Sequence, residues 1–104
     1  MDEHQTARLQ IYSVEERSAT TAVCIVRCVE GIARAEQTFE IEFAAGQGHS
    51  QQHLRLDWIL RYEKPADFLE PPHNGKVHLT GEGIEDLTRG TIIRRVDIES
   101  DPGE

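Results

Sequence analysis

The stretch that decides the fold is His53-Leu54-Arg55-Leu56-Asp57-Trp58-Ile59-Leu60-Arg61-Tyr62-Glu63. Leu54, Leu56, Trp58, Leu60 and Tyr62 alternate with Arg55, Asp57, Ile59, Arg61 and Glu63. Successive side chains of a strand point to opposite faces, so a period of two predicts a strand with one face against a core. A helix would also gather Leu54, Trp58 and Tyr62, but would scatter Leu56 and Leu60. The strand reading places Trp58 in the core and leaves Arg55, Ile59 and Arg61 on the outer face.

The same rhythm recurs on both sides. In Gln37 to Phe43, Phe39, Ile41 and Phe43 alternate with Thr38, Glu40 and Glu42. Residues 46–52, GQGHSQQ, read as a flexible loop. Thr21 to Val29 is the most apolar stretch and predicts a central strand buried on both faces. Glu30-Gly31 supplies a turn after it. Arg8 to Val14 is a first strand, with Leu9, Ile11 and Ser13 on one side and Gln10, Tyr12 and Val14 on the other; Glu15 to Thr20 is a polar link. Pro65 ends the tryptophan strand. Residues 66–74 read as largely irregular, with room for one short turn at Asp67 to Leu69. Lys76 to Thr80 and Thr91 to Val96 are the last strands, separated by Gly81, Gly83 and a turn or helical loop from Ile84 to Gly90. Six strands joined by short links predict an all-β barrel or sandwich. A closed six-stranded barrel is preferred because it leaves few unpaired edges.

A chain of 104 residues predicts a single domain, with a core from about residue 8 to 96. Hydrophobic residues are 38% and charged ones 29%, the balance of a globular protein. No apolar run approaches the roughly 20 residues that span a bilayer. Met1 to Arg8 is polar, unlike a signal peptide, so no membrane association and a cytoplasmic location are expected. Net charge is −8, concentrated at the ends: thirteen acids face eleven bases between His4 and Val96. The acidic tail from 97 to 104 is expected to fray. An acidic chain disfavours strong nonspecific nucleic-acid binding, which depends on neutralising phosphates.

Catalytic and metal chemistry find little footing. Cys24 and Cys28 lie four residues apart on one predicted strand, about 13 Å along it. A disulfide needs Cα atoms within about 7 Å, so both are expected to be free core residues. His49 and His53 form HxxxH, which brings two rings together on a helix. The glycine-rich context is loop to strand, so exposed histidines and no metal or other cofactor are expected. Ser13, Ser18, Ser50 and Ser100 sit in no nucleophile motif, and Glu85-Asp86 reads as solvated surface. No enzyme activity is expected.

Two further segments carry a resemblance. Gly31-Ile32-Ala33-Arg34, followed by Phe39-Glu40-Ile41, resembles a β-hairpin of the barrel that follows the G domain in elongation factor Tu. Val77-His78-Leu79-Thr80-Gly81, then Ile84-Glu85-Asp86-Leu87-Thr88-Arg89-Gly90-Thr91-Ile92-Ile93, resembles that barrel's closing strands. The resemblance implies a translation-factor-type barrel, with Gly31 and Gly90 at positions of positive φ or close backbone approach and Arg89 on the rim. The chain departs from the family in two turns: Arg17-Ser18-Ala19-Thr20 lacks glycine, and Ala35-Glu36 stands where Gly-Asp is usual. Nothing fits a phosphate-binding GxxxxGK[ST] loop, so GTP hydrolysis is not expected. The family's barrel helps hold the aminoacyl end of tRNA, but no contact residues map onto this sequence.

These readings converge on a noncatalytic binding module, with a protein partner favoured and RNA or the ribosome as the alternative. The candidate contact residues are Arg55, Arg61, Lys64 and Arg89. Basic residues beside a stacking ring can also bind single-stranded RNA, and Tyr12 and Tyr62 supply rings. The competing reading is an ordinary solvated face over core aromatics. An exposed strand edge leaves self-association open.

Overall fold

The computed structural model describes residues 6–42 and 53–96. Among these, nine strands form: β1 (Arg8–Arg17), β2 (Thr21–Glu30), β3 (Ala33–Arg34), β4 (Thr38–Ile41), β5 (Leu54–Arg61), β6 (Lys64–Ala66), β7 (Phe68–Leu69), β8 (Asn74–Gly81) and β9 (Ile92–Val96). One turn of 3-10 helix covers Ile84–Asp86. The order β4-β9-β1-β2-β8-β5 closes on itself, because β5 also pairs β4 at Thr38↔Arg55 and Phe39↔Leu54. Every pairing in the ring is antiparallel. The fold is therefore a closed six-stranded barrel, and its six staves are the six strands that alternation predicts. Phe43, the loop at 46–52 and the acidic tail at 97–104 lie outside the described residues.

The inner face is apolar. Leu9, Ile11, Cys24, Val26, Phe39, Leu54, Leu56, Ile59, Val77, Leu79 and Ile93 are all at most 1% exposed. No polar or charged residue is buried among the described residues. Burying each large aliphatic side chain is worth about 1.5–3 kcal/mol, so this lining is what closes the sheet. Ile84 and Leu87 stopper the barrel beside Arg17. The Arg17 guanidinium donates to the carbonyls of Ile84, Glu85 and Leu87 at 3.1, 3.0 and 2.7 Å. The Leu87 N–H already donates to the Ile84 carbonyl at 3.1 Å, so Arg17 adds a second donor there and supplies one to the carbonyls of Glu85 and Leu87. Ala33 and Leu69, from the small β3–β7 pair, plug the end near Gly75.

Four expectations are corrected. First, β5 does not keep one alternation. Leu56 pairs Leu79 and Trp58 pairs His78, so Asp57 is an extra residue in a β-bulge. A bulge inserts one residue against none on the partner strand, and the faces of everything beyond it exchange. Trp58 is consequently 38% exposed, Leu60 and Tyr62 leave the core, and Ile59 enters it. Second, similar shifts at Tyr12 and Glu15 turn Val14 towards the core. Third, β2 is buried on one face only: Ala22, Cys24, Val26 and Cys28 point in, while Arg27 and Val29 are exposed. A closed barrel has a wet exterior, so an apolar outer row is not a second core. Fourth, the tryptophan strand ends at Arg61, and Pro65, expected to stop it, instead belongs to the next strand of the sheet. The chain reverses at Tyr62-Glu63 and Pro65 joins β6 opposite Leu60. Proline is tolerated there because β6 is an edge and needs no outward N–H. The segment at 66–74, expected to be irregular, supplies β7.

Gly31 and Gly90 adopt φ of 67° and 93°, as the resemblance implies. Gly81 is the most constrained backbone position: its φ is 151°, and an added Cβ would lie 2.1 Å from the His53 carbonyl oxygen. Gly81→Ala should cost at least about 2 kcal/mol in urea unfolding; a change below about 0.5 kcal/mol would contradict this approach of β8 to β5.

Candidate partner-binding surface

The bulge at Asp57 builds a continuous outer wall from β2, β8 and β5. Cross-strand pairing lines up Val23, His78 and Trp58 in one row and Ile25, Lys76 and Leu60 in the next. Asp57 holds the first row. Its Oδ2 accepts from Nδ1 of His78 at 2.8 Å and from the Thr80 hydroxyl in a short hydrogen bond. A carboxylate only accepts, so His78 carries its proton on Nδ1. The Arg55 guanidinium lies 3.5 Å from Oδ1 of Asp57. Trp58 stacks on His78 with ring centroids 5.4 Å apart and planes at 26°. The wall thus presents a fixed aromatic pair.

Further along the wall, Tyr62 occupies the β5–β6 turn and is 86% exposed. Tyr62 and Glu63 have φ of 54° and 64°. Two consecutive positive φ values define a two-residue hairpin turn that normally takes Asn-Gly, and each non-glycine residue there is strained by about 1 kcal/mol or more. Tyr62 separates two clefts. One, of about 320 Å³, is lined by Ile25, Leu60, Glu63, Asn74, Gly75 and Lys76. The other, of about 440 Å³, is lined by Tyr12, Arg27, Pro72, His73 and Asn74. The Arg27 guanidinium donates to the Tyr12 hydroxyl at 3.1 Å and to the Pro72 carbonyl at 3.2 Å, both neutral acceptors.

The four candidate contact residues are not one patch. Arg61 and Lys64 are brought directly opposite each other across the β5–β6 hairpin. Arg55 sits near the other end of β5, tied to Asp57. It shares no face with Ile59, which is buried. Arg89 is exposed in the turn before β9, where Gly90 N–H donates to the Ile11 carbonyl at 2.7 Å. Three other cations are neutralised by carboxylates: Arg8 bridges Glu30 and Glu42, Lys76 meets Glu15, and Arg94 meets Glu40. Hydrogen bonds that Arg8 donates to Glu42 and Glu30 hold its pKa above the ordinary value. Sequence reasoning assigned Trp58 to the core, took His78 only for an exposed histidine, and gave Asn74 and Arg27 no role. Only the unusual apolar content of β2, with Val23 and Ile25 on its outer face, signalled this wall.

The cysteines are free and buried. Burial pushes the Cys24 thiol up to about 11 and raises Cys28 as well. Among the described residues no three His, Cys, Asp or Glu side chains gather to hold a metal ion. His78 and His73 are half-buried rather than exposed, and His73 Nδ1 lies 3.2 Å from the Glu70 carbonyl oxygen. The HxxxH pair includes His49, which lies outside the described residues.

No known protein family matches the sequence, and no curated protein does. Among solved structures the chain is similar to translation elongation factor SelB from Methanococcus maripaludis in its apo form, with a TM-score of 0.71 at 10% sequence identity. The match covers 90% of this chain and 20% of the SelB chain. The fold is thus the barrel type found in translation factors, as the closing-strand motif implies.

Two measurements test this surface. Asp57→Ala removes the acceptor for His78 and Thr80 and should cost about 1–3 kcal/mol in urea unfolding, whereas a neutral effect would show that the bulge does not need its carboxylate. The two thiols should stay unreactive to Ellman's reagent in the folded protein at about pH 8 and react on unfolding. Because the Cys24 pKa is raised from 9.0 to about 11 in the folded state, the thiol contributes stability that is complete below 9.0 and lost as pH rises through about 11.

Proposed function

We propose that the chain is a noncatalytic barrel module that binds a protein partner in the cytoplasm through the outer wall of β2, β8 and β5. One observation supports this most strongly. The core is complete without Trp58, Tyr62 and Tyr12, yet these rings are 38%, 86% and 39% exposed. Trp58 and Tyr62 share their wall with Val23, Ile25 and Leu60, and Tyr12 lines the cleft next to Tyr62. Contiguous apolar exposure of this kind marks interaction sites, and tryptophan and tyrosine dominate binding energy where they occur. A net charge of −8 favours protein over nucleic acid. The Asp57–His78 pair has the form of an oriented base, but no nucleophile bonds to His78 among the described residues.

The likeness to a translation factor supports a second reading, an RNA- or ribosome-associated module using Arg61, Lys64 and Arg89. That reading predicts RNA binding that weakens steeply with salt.

Photo-crosslinking in the native cells separates the two. A benzoylphenylalanine replacing Trp58 should capture a discrete protein, and one replacing Glu85, on the barrel's stoppered end, should not. Capture of RNA, or equal yields from both positions, would overturn the protein reading.

A further inference from the structure

The β5–β6 hairpin bears two unrelieved costs in four residues. Tyr62 and Glu63 hold left-handed backbone conformations without being Asn or Gly. Flanking them, Arg61 and Lys64 pair directly across the two strands, and like charges at opposed positions destabilise a sheet. Neither cation has an ion pair or hydrogen bond among the described residues. Nearby Arg27 spends its donors on neutral oxygens, so its charge also stays uncompensated. Against these three cations the tip and the two clefts offer a single carboxylate free of an ion pair, Glu63. A chain of net charge −8 therefore displays a locally cationic tip around its most exposed aromatic ring.

Resting on the protein-binding reading above, we propose that this hairpin is the docking point for an acidic, extended segment of the partner. Carboxylates of the segment lie against Arg61, Lys64 and Arg27, where they remove the like-charge repulsion and gain charge-assisted hydrogen bonds. An apolar side chain between them packs on Tyr62 and enters the cleft of Ile25, Leu60 and Gly75, whose volume of about 320 Å³ admits one such group. The strained turn keeps the tyrosine raised between the two clefts. An Asn-Gly turn would relieve the backbone but remove the ring.

The test uses the full chain and a fluorescein-labelled nine-residue peptide of glutamate and aspartate with phenylalanine at its centre. A lysine-substituted peptide of the same pattern and a nine-nucleotide polyuridylate serve as controls. Anisotropy should show binding of the acidic peptide alone, weakening several-fold between about 0.05 and about 0.3 M salt. The pair Arg61→Glu and Lys64→Glu should weaken it about tenfold or more. Tyr62→Asn with Glu63→Gly should abolish binding while leaving the melting temperature unchanged or raised, which separates loss of the ring from loss of the fold. Absence of acidic-peptide binding, or binding unaffected by these variants, overturns the docking proposal. If the Trp58 crosslink to a protein nonetheless persists, the wider protein reading survives it. Binding of polyuridylate through the same residues overturns both.

Discussion

The carboxylate of Asp57 is the interaction on which the outer surface depends. A six-stranded barrel must bend its staves, and an extra residue in one strand is the common way to do so. In β5 that residue is Asp57, and its side chain grips His78 and Thr80 on the neighbouring stave. The register of β5 against β8 is thereby offset by one residue beyond Leu56. Everything downstream follows from that offset: Ile59 completes the core, Trp58 turns outward onto His78, and the hairpin at Tyr62 projects beside Asn74.

This division lets one strand serve two purposes. Before the bulge, Leu54 and Leu56 belong to the barrel's apolar lining. After it, Trp58 and Leu60 belong to the exterior, where Trp58 is exposed beside His78 and Leu60 is half-buried. Closure by β4 and β5 pairs the six staves into a ring and leaves only the short β6 as an edge of that sheet among the described residues. In the protein-binding role proposed above, recognition would fall to side chains on the wall. The charge distribution fits the same division: salt bridges neutralise Arg8, Lys76 and Arg94, while Arg61 and Lys64 face one another without a counterion among the described residues.

Much of this architecture was legible from residue order. Each of the six staves carries an alternating or strongly β-branched pattern, because burial of one face imposes it. The barrel type could be read from Leu79-Thr80-Gly81 and Arg89-Gly90, where backbone geometry restricts the residue type. What could not be read were features that leave no compositional mark. A bulge adds one residue without changing the residue types around it, so the run from Leu54 to Tyr62 read as a single face. A Tyr-Glu pair does not announce a two-residue turn as Asn-Gly would, and Pro65 suggested a stop because its place on an edge strand was unknown. For the same reason Arg61 and Lys64 were identifiable as candidates, but not as a facing pair, and Arg55 looked available although Asp57 neutralises it.

Trp58 is the only tryptophan in the chain, and its environment reports directly on the offset. Acrylamide quenching of its fluorescence should be substantial in the folded protein and rise only modestly on full unfolding. An indole shielded from acrylamide until the barrel unfolds would place Trp58 inside and contradict the bulge.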